Sequence, residues 1–153
     1  NLNNIRKNLQ EIRRITKSKI MPVIKNDAYS LGSVKIAQTL EKEGIDFFAV
    51  CTIKEALLLR KNNIKSNILL FSKVFDDEYY LLKNNNITLT AYSLEELEEL
   101  NNYLIKENFS INAHLKIDTG MTRLGFLYSE NEKEIDDILR AFKFSNIKYF
   151  SLS

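Results

Sequence analysis

The chain has 153 residues, enough for one domain with a core of its own, and its 44% hydrophobic content argues against a disordered polymer. Lys and Arg number 22 against 20 Asp and Glu, so the formal charge of +2 leaves no basic footprint for nucleic acid or an anionic membrane surface, and neither partner is expected. A single cysteine, Cys51, excludes an internal disulfide, and no apolar run approaches the ~20 residues that span a bilayer, so a reducing cytoplasm is the expected setting. The opening Asn1-Leu2-Asn3-Asn4 lacks the basic and then apolar layout of a signal peptide, and the missing initial methionine suggests a fragment. With one Pro, four Gly and no stretch rich in Pro, Gly or Ser, no internal domain boundary is expected.

Ile5, Leu9, Ile12 and Ile15 recur at helical spacing among charged neighbours, which predicts an amphipathic helix over about 2–17. Lys19-Ile20-Met21-Pro22-Val23-Ile24-Lys25 reads as a strand, with its proline near the start where the missing donor is tolerated. A helix follows over Ser33 to Lys42, with Ser33 as its N-cap and Val34, Ala37 and Leu40 on one face. Asp46-Phe47-Phe48-Ala49-Val50 is a second apolar run, and Thr52-Ile53-Lys54-Glu55 has the form of a capping box opening another helix. Asn67-Ile68-Leu69-Leu70-Phe71 is a third strand, followed by a helix behind the acidic opening Asp76-Asp77-Glu78. Ile87-Thr88-Leu89-Thr90-Ala91 is a fourth, and Ser93-Leu94-Glu95-Glu96 is a second capping box whose helix turns Leu97, Leu100 and Leu104 inward. Ile111 to Asp118 reads as the fifth strand, a helix is expected over Asn131 to Phe144, and Ile147-Lys148-Tyr149-Phe150-Ser151 reads as the sixth.

Short apolar strands alternating with helices are what a parallel sheet buried on both faces produces, so the class is α/β. Two architectures compete, an open doubly wound sheet and an eight-stranded barrel, which usually takes about 250 residues. Six strands fit either a finished open sheet or an unfinished barrel.

Lys25 closes an apolar strand, and in a barrel that is the rim where catalytic groups gather. A lysine there is a candidate to attack an aldehyde, since partial burial frees its amine; taken by position alone, it is more readily a side chain reaching into water. The second constellation runs His114-Leu115-Lys116-Ile117-Asp118-Thr119-Gly120-Met121-Thr122-Arg123-Leu124-Gly125-Phe126. His114, Lys116 and Asp118 alternate, which on one strand points all three to a single buried side where each needs a partner. Arg123 follows a glycine-containing turn and can return to a carboxylate or an anionic ligand in bidentate fashion, or belong to an ion-pair network that holds the turn.

Val23-Ile24-Lys25-Asn26-Asp27-Ala28-Tyr29-Ser30-Leu31-Gly32 resembles the cofactor-lysine motif of alanine racemases, and residues 114–126 resemble that family's second signature, in the right order. Phe48-Ala49-Val50, Glu55-Ala56 and Leu59-Arg60 between them match the family's usual run, so the resemblance covers essentially the whole chain.

The resemblance implies a partial TIM (β/α)8 barrel with about six of its eight strands, residues 1–153 being the N-terminal part of the domain that binds pyridoxal 5'-phosphate, without the family's C-terminal β-domain. It implies an isomerase interconverting L- and D-alanine for bacterial cell-wall synthesis, inactive as this fragment alone, with a homodimeric parent and no metal. In that family the lysine matching Lys25 forms an aldimine with the cofactor and is one of two opposed bases, the tyrosine matching Tyr29 binds the cofactor phosphate, and the arginine matching Arg123 contacts its phenolic oxygen. The lysine matching Lys116 is often carbamylated, which would turn repulsion of Arg123 into attraction. The other base is a tyrosine of the β-domain, given across the dimer. Ser30 and Leu31 replace a usual Gly-His pair, and Phe150-Ser151-Leu152-Ser153 stands where a ring-stacking histidine is usual. The competing readings are a racemase of another amino acid such as serine, and a non-catalytic or remnant barrel that binds the cofactor weakly or not at all.

Overall fold

In a computed structural model the chain is described over residues 1–127 and 132–149. It forms two compact units, Asn1–Ser72 and the residues from Lys73 onward. No helix among the described residues is long and apolar enough to cross a membrane.

The first unit opens with helix α1 (Leu2–Ile15), where Asn1 accepts the Asn3 N–H at 2.9 Å and Arg13 and Arg14 lie in the last turn, the favourable end for positive charge. The chain then meets the sheet, but the strand expected over residues 19–25 is reduced to a single parallel bridge between Val23 and Ala49. In that bridge the Ile24 N–H donates to the Ala49 carbonyl at 2.8 Å and the Ala49 N–H to the Pro22 carbonyl at 3.0 Å. Extending it backward would require an N–H from Pro22, which has none, and extending it forward would require the Asn26 N–H, which Glu55 takes instead. Lys25 therefore starts the next element rather than ending a strand.

That element, α2 (Lys25–Ser30), is a short left-handed turn, and α3 (Ser33–Lys42) follows it and packs against α1, where Arg6 and Glu43 pair at 3.1 Å. Ser33 is the first residue inside α3, not its cap; Gly32, with φ at +90°, holds the cap position. Strands β1 (Phe47–Val50) and β2 (Asn67–Leu70) pair in parallel, Phe47 opposite Asn67 through Val50 opposite Leu70, with α4 (Ile53–Lys61) between them in sequence. Consecutive residues of both strands are buried, Phe48, Ala49 and Val50 in one and Ile68, Leu69 and Leu70 in the other, so apolar matter covers both faces.

In the second unit a 3₁₀ turn at Asp76–Glu78 leads into α5 (Tyr79–Asn84), then β3 (Ile87–Ala91), α6 (Leu94–Lys106) and β4 (Ile111–Leu115). Leu97, Leu100 and Leu104 are fully buried, as their spacing predicts. Ser93 caps α6 by accepting the Glu96 N–H at 3.2 Å, while the Glu96 carboxylate reaches back to the Tyr92 N–H, also at 3.2 Å, so the expected box closes one residue upstream. The fifth strand does not run unbroken to Asp118. It ends at Leu115, and β5 (Ile117–Asp118) pairs separately with β6 (Phe126–Leu127). Helix α7 (Glu132–Ala141) stops short of the expected Phe144, and Asn131 lies outside the described residues. Strand β7 (Ile147–Tyr149) pairs in parallel with β4, which itself pairs in parallel with β3. Phe150 to Ser153, including the expected end of the sixth strand, also lie outside the described residues.

Candidate functional site

From Asn26 to Ser30 five successive residues have φ between 51° and 67°. Left-handed helical backbone brings Cβ against the following carbonyl and costs roughly 1–2 kcal/mol per residue, less for Asn and Asp, so Ala28, Tyr29 and Ser30 keep it only under outside constraint. Internal bonds supply part of it: the Ala28 N–H donates to the Ile24 carbonyl at 3.0 Å and the Gly32 N–H to the Asp27 carbonyl at 3.0 Å. Two carboxylates supply the rest. Asp27 Oδ1 accepts both the Ser33 N–H at 2.7 Å and the Ser33 Oγ–H at 2.9 Å, which fastens the turn to the start of α3 and holds the Asp27 carboxyl below its usual range. Glu55 Oε1 accepts the Asn26 N–H at 2.5 Å, while Oε2 accepts the N–H of Cys51 at 2.8 Å and of Thr52 at 3.0 Å. The Thr52 hydroxyl accepts the Glu55 N–H in return, completing the box foreseen at the start of α4.

Lys25 and Tyr29 stand four apart around this turn, about one helical repeat, so they lie on one side of it. Ala28 is buried at 4% exposure and roots the turn, whereas Tyr29 is 60% exposed. Among the described residues the Lys25 amine and the Tyr29 hydroxyl have no hydrogen-bond or ionic partner. A primary amine and a phenol on one side of a constrained turn can together meet a small ligand bearing an aldehyde and an anionic group.

The second signature forms a different device in the other unit. Asp118, 5% exposed, gathers the loop that follows it: Oδ1 accepts the N–H of Gly120 at 2.9 Å and of Thr122 at 3.0 Å, and Oδ2 accepts the N–H of Arg123 at 2.9 Å. These backbone donors, Gly120 foremost, with the nearby Lys116 ammonium, push the Asp118 carboxyl down to about 2. Lys116, half-buried, donates from Nζ to the Leu124 carbonyl at 2.6 Å, and its own carbonyl accepts the Phe126 N–H at 2.8 Å. Gly125 passes so close that a Cβ there would lie 2.7 Å from the Lys116 carbonyl oxygen and 3.2 Å from the Asp118 nitrogen. The Arg123 guanidinium has no ionic partner among the described residues. His114 sits on β4, buried at 4% exposure, and burial lowers its pKa and favours the neutral ring. The strand expected to carry all three polar groups ends at Leu115, between His114 and Asp118, and both Lys116 and Asp118 find their partners in the loop that follows.

Sequence reasoning singled out Lys25, Tyr29, His114, Lys116, Asp118 and Arg123. The first pair shares one unit, and the last four share the other. It missed Asp27 as an anchor, and it saw Glu55 as half of a capping box and as part of the matching run but not as an anchor of the lysine turn. The spacing of Asp27 to Ser33 carries a faint signal, an acid ahead of a helix start; nothing in the spacing of Asn26 and Glu55 does.

Parallel strands alternating with helices in both units define an α/β protein. A family profile described as "Alanine racemase, N-terminal domain" matches residues 1–151, and the chain belongs to that family. It is 39% identical over 137 residues to alanine racemase 1 of Caldanaerobacter subterraneus subsp. tengcongensis, across 88% of this chain and 35% of that protein. It is 42% identical over 137 residues to the serine/alanine racemase of Enterococcus gallinarum, across 88% of this chain and 18% of that one. The solved alanine racemase of Clostridium difficile 630, in complex with cycloserine, matches with a TM-score of 0.88 at 37% identity, over 97% of this chain and 41% of that chain. Between the two architectures left open by the strand count, this decides for the partial barrel. The chain spans about a third of the length of the first of these relatives.

Proposed function

We propose that this chain is the N-terminal part of the cofactor-binding barrel domain of a racemase that interconverts L- and D-alanine with pyridoxal 5'-phosphate. The observation that supports it most directly is the Lys25 amine, without a partner among the described residues, at the head of a constrained left-handed turn in a chain of this family. The bound cofactor would supply the electron sink that lets a proton leave the α-carbon of an amino acid. Lys25 would hold the cofactor covalently and take or return a proton at Nζ on one face of that carbon. The Tyr29 hydroxyl would hold the phosphate, and Arg123, presented by the Asp118 loop, would meet the phenolic oxygen. Carbamylation of Lys116 would join its neutral amine to carbon dioxide with release of a proton, exchanging a cation for an anion beside the segment that bears Arg123.

Proton return on the opposite face requires a second base, which we assign to a tyrosine of a C-terminal β-domain given across a homodimer, with D-alanine for cell-wall synthesis made in the cytoplasm. The likeness to a serine/alanine racemase favours serine as a second substrate reading, in which the choice of side chain is made outside this chain.

The test is an absorbance spectrum of the full-length protein with pyridoxal phosphate, before and after borohydride reduction, with the modified residue mapped. A reduced adduct on Lys25 is the expected result; an adduct elsewhere removes Lys25 from that role, and no adduct returns the chain to a non-catalytic reading.

A further inference from the structure

A capping box asks little of its glutamate: one oxygen on the N-cap N–H is enough, and the other is free to face water. Glu55 does more. Its Oε2 takes two N–H groups at the start of α4, those of Cys51 and Thr52, and its Oε1 reaches 29 residues back in the chain to the Asn26 N–H. On the other side of Lys25 the Ile24 N–H is held by the Ala49 carbonyl at 2.8 Å. Lys25 thus stands between two residues with anchored amides, immediately before the left-handed run that begins at Asn26. The direction of its Cα–Cβ bond, and so the region its amine sweeps, is set by those anchors.

We propose that Glu55 is a positioning residue for Lys25, acting through the Asn26 amide to aim the lysine amine. The proposal rests on the reading of Lys25 as the cofactor lysine and deepens it. A carboxylate is required because an ionised carboxylate is acceptor-only on both oxygens. An amide in its place turns one oxygen into a donor facing N–H groups, so Gln can serve either the lysine turn or the start of α4, not both. Thr52→Ala is the informative counterpart, since it loosens the same helix start and leaves the Asn26 contact alone.

The experiment compares the full-length protein with its Glu55→Gln, Glu55→Ala and Thr52→Ala variants. Amide exchange over residues 24–31 is followed without cofactor. Pyridoxal phosphate is then the probe, with absorbance followed against pH and borohydride-fixed label mapped over time. In Glu55→Ala the amides after Lys25 should exchange about tenfold faster, label should reach Lys25 about tenfold more slowly and the pH midpoint of the absorbance should move; Glu55→Gln should loosen either those amides or those of Cys51 and Thr52, whereas Thr52→Ala should stay within about twofold. Equal effects of Glu55→Ala and Thr52→Ala would mean that Glu55 serves only the stability of α4, and would overturn the proposal. Unchanged exchange at Asn26 in Glu55→Ala, or full protection of Asn26, Cys51 and Thr52 together in Glu55→Gln, would also overturn it. Absence of label on Lys25 in the unsubstituted protein is a separate result, which removes the reading of Lys25 itself.

Discussion

The two motif-bearing segments, the turn at Lys25–Ser30 and the loop at Asp118–Gly125, are both held by carboxylates bonded to backbone amides, yet they differ in where the carboxylates come from. Asp118 bonds amides two, four and five residues ahead of itself, so its loop is organised by its own segment. The lysine turn runs through five residues of left-handed backbone and, beside its own Asp27 bonded to Ser33, depends on Glu55, 29 residues away, and on a bridge to β1. A self-organised loop can form early and locally; a strained turn persists only once the surrounding unit is built. The difference teaches that two motifs equally clear by eye can rest on physics of different range.

The largest expected effect bears on the turn. Lys25→Ala in the full-length protein should abolish borohydride-trappable cofactor and lower racemisation by at least about 10³-fold, because one residue would lose both attachment and proton transfer. Retained racemisation, read by chiral product assay, would remove the turn from the chemistry and leave only a structural contrast between the two regions.

The next strikes the loop. Gly125→Ala places a Cβ 2.7 Å from a backbone oxygen at a φ of +123°, and should destabilise the second unit by about 2–4 kcal/mol in denaturant unfolding. A loss under about 1 kcal/mol would mean that the loop yields, and that it is less tightly set than its hydrogen bonds imply.

Asp118→Asn keeps one accepting oxygen and opposes an NH₂ group to the Arg123 N–H, so exchange of the Arg123 amide should rise about tenfold with Gly120 and Thr122 less affected. Equal acceleration at all three amides would show that the loop melts as a unit.

Acidity separates the regions more gently. The Asp118 carboxyl is lowered from 3.8 to about 2 in the fold, so its contribution is fully present above pH 3.8 and is lost as the pH falls through about 2. His114 is also lowered, from 6.5, by burial; the unfolded chain takes up its proton first, so stability declines as the pH falls below 6.5 toward the lower folded value. Unfolding midpoints followed from pH 8 to pH 2 should show a shallow first decline, absent in a His114→Gln variant, and a later loss of protection at Gly120, Thr122 and Arg123. A midpoint that rises as the pH drops from 7 to 5 would contradict the buried neutral histidine.

Much of this was legible from residues alone. The alternation of apolar strands with capped helices was visible because burial on both faces demands continuous apolar runs, and because Thr52 and Ser93 are side chains with few other uses before a helix. Those signals are local, so they can be read without coordinates. The strand expected over residues 19–25 failed for a non-local reason: the N–H that would have extended it is bound by a glutamate far along the chain. The same holds for the row of His114, Lys116 and Asp118, which a period of two predicts only while the strand lasts. Lys116 finds its partner in the Leu124 carbonyl, on a segment that Gly125 lets pass close to it.

By itself, then, the sequence determined the α/β class, most of the order of elements and the two signatures, and it singled out Lys25, Tyr29, His114, Lys116, Asp118 and Arg123 as candidates. Only the tertiary structure decided that the lysine heads a left-handed turn, that Asp27 and Glu55 hold that turn in place, and that Asp118 serves the loop bearing Arg123. The physical reason is range. Propensity, capping and periodicity act over a few residues, whereas a strained backbone is held by hydrogen bonds whose donors and acceptors meet only after the chain has folded.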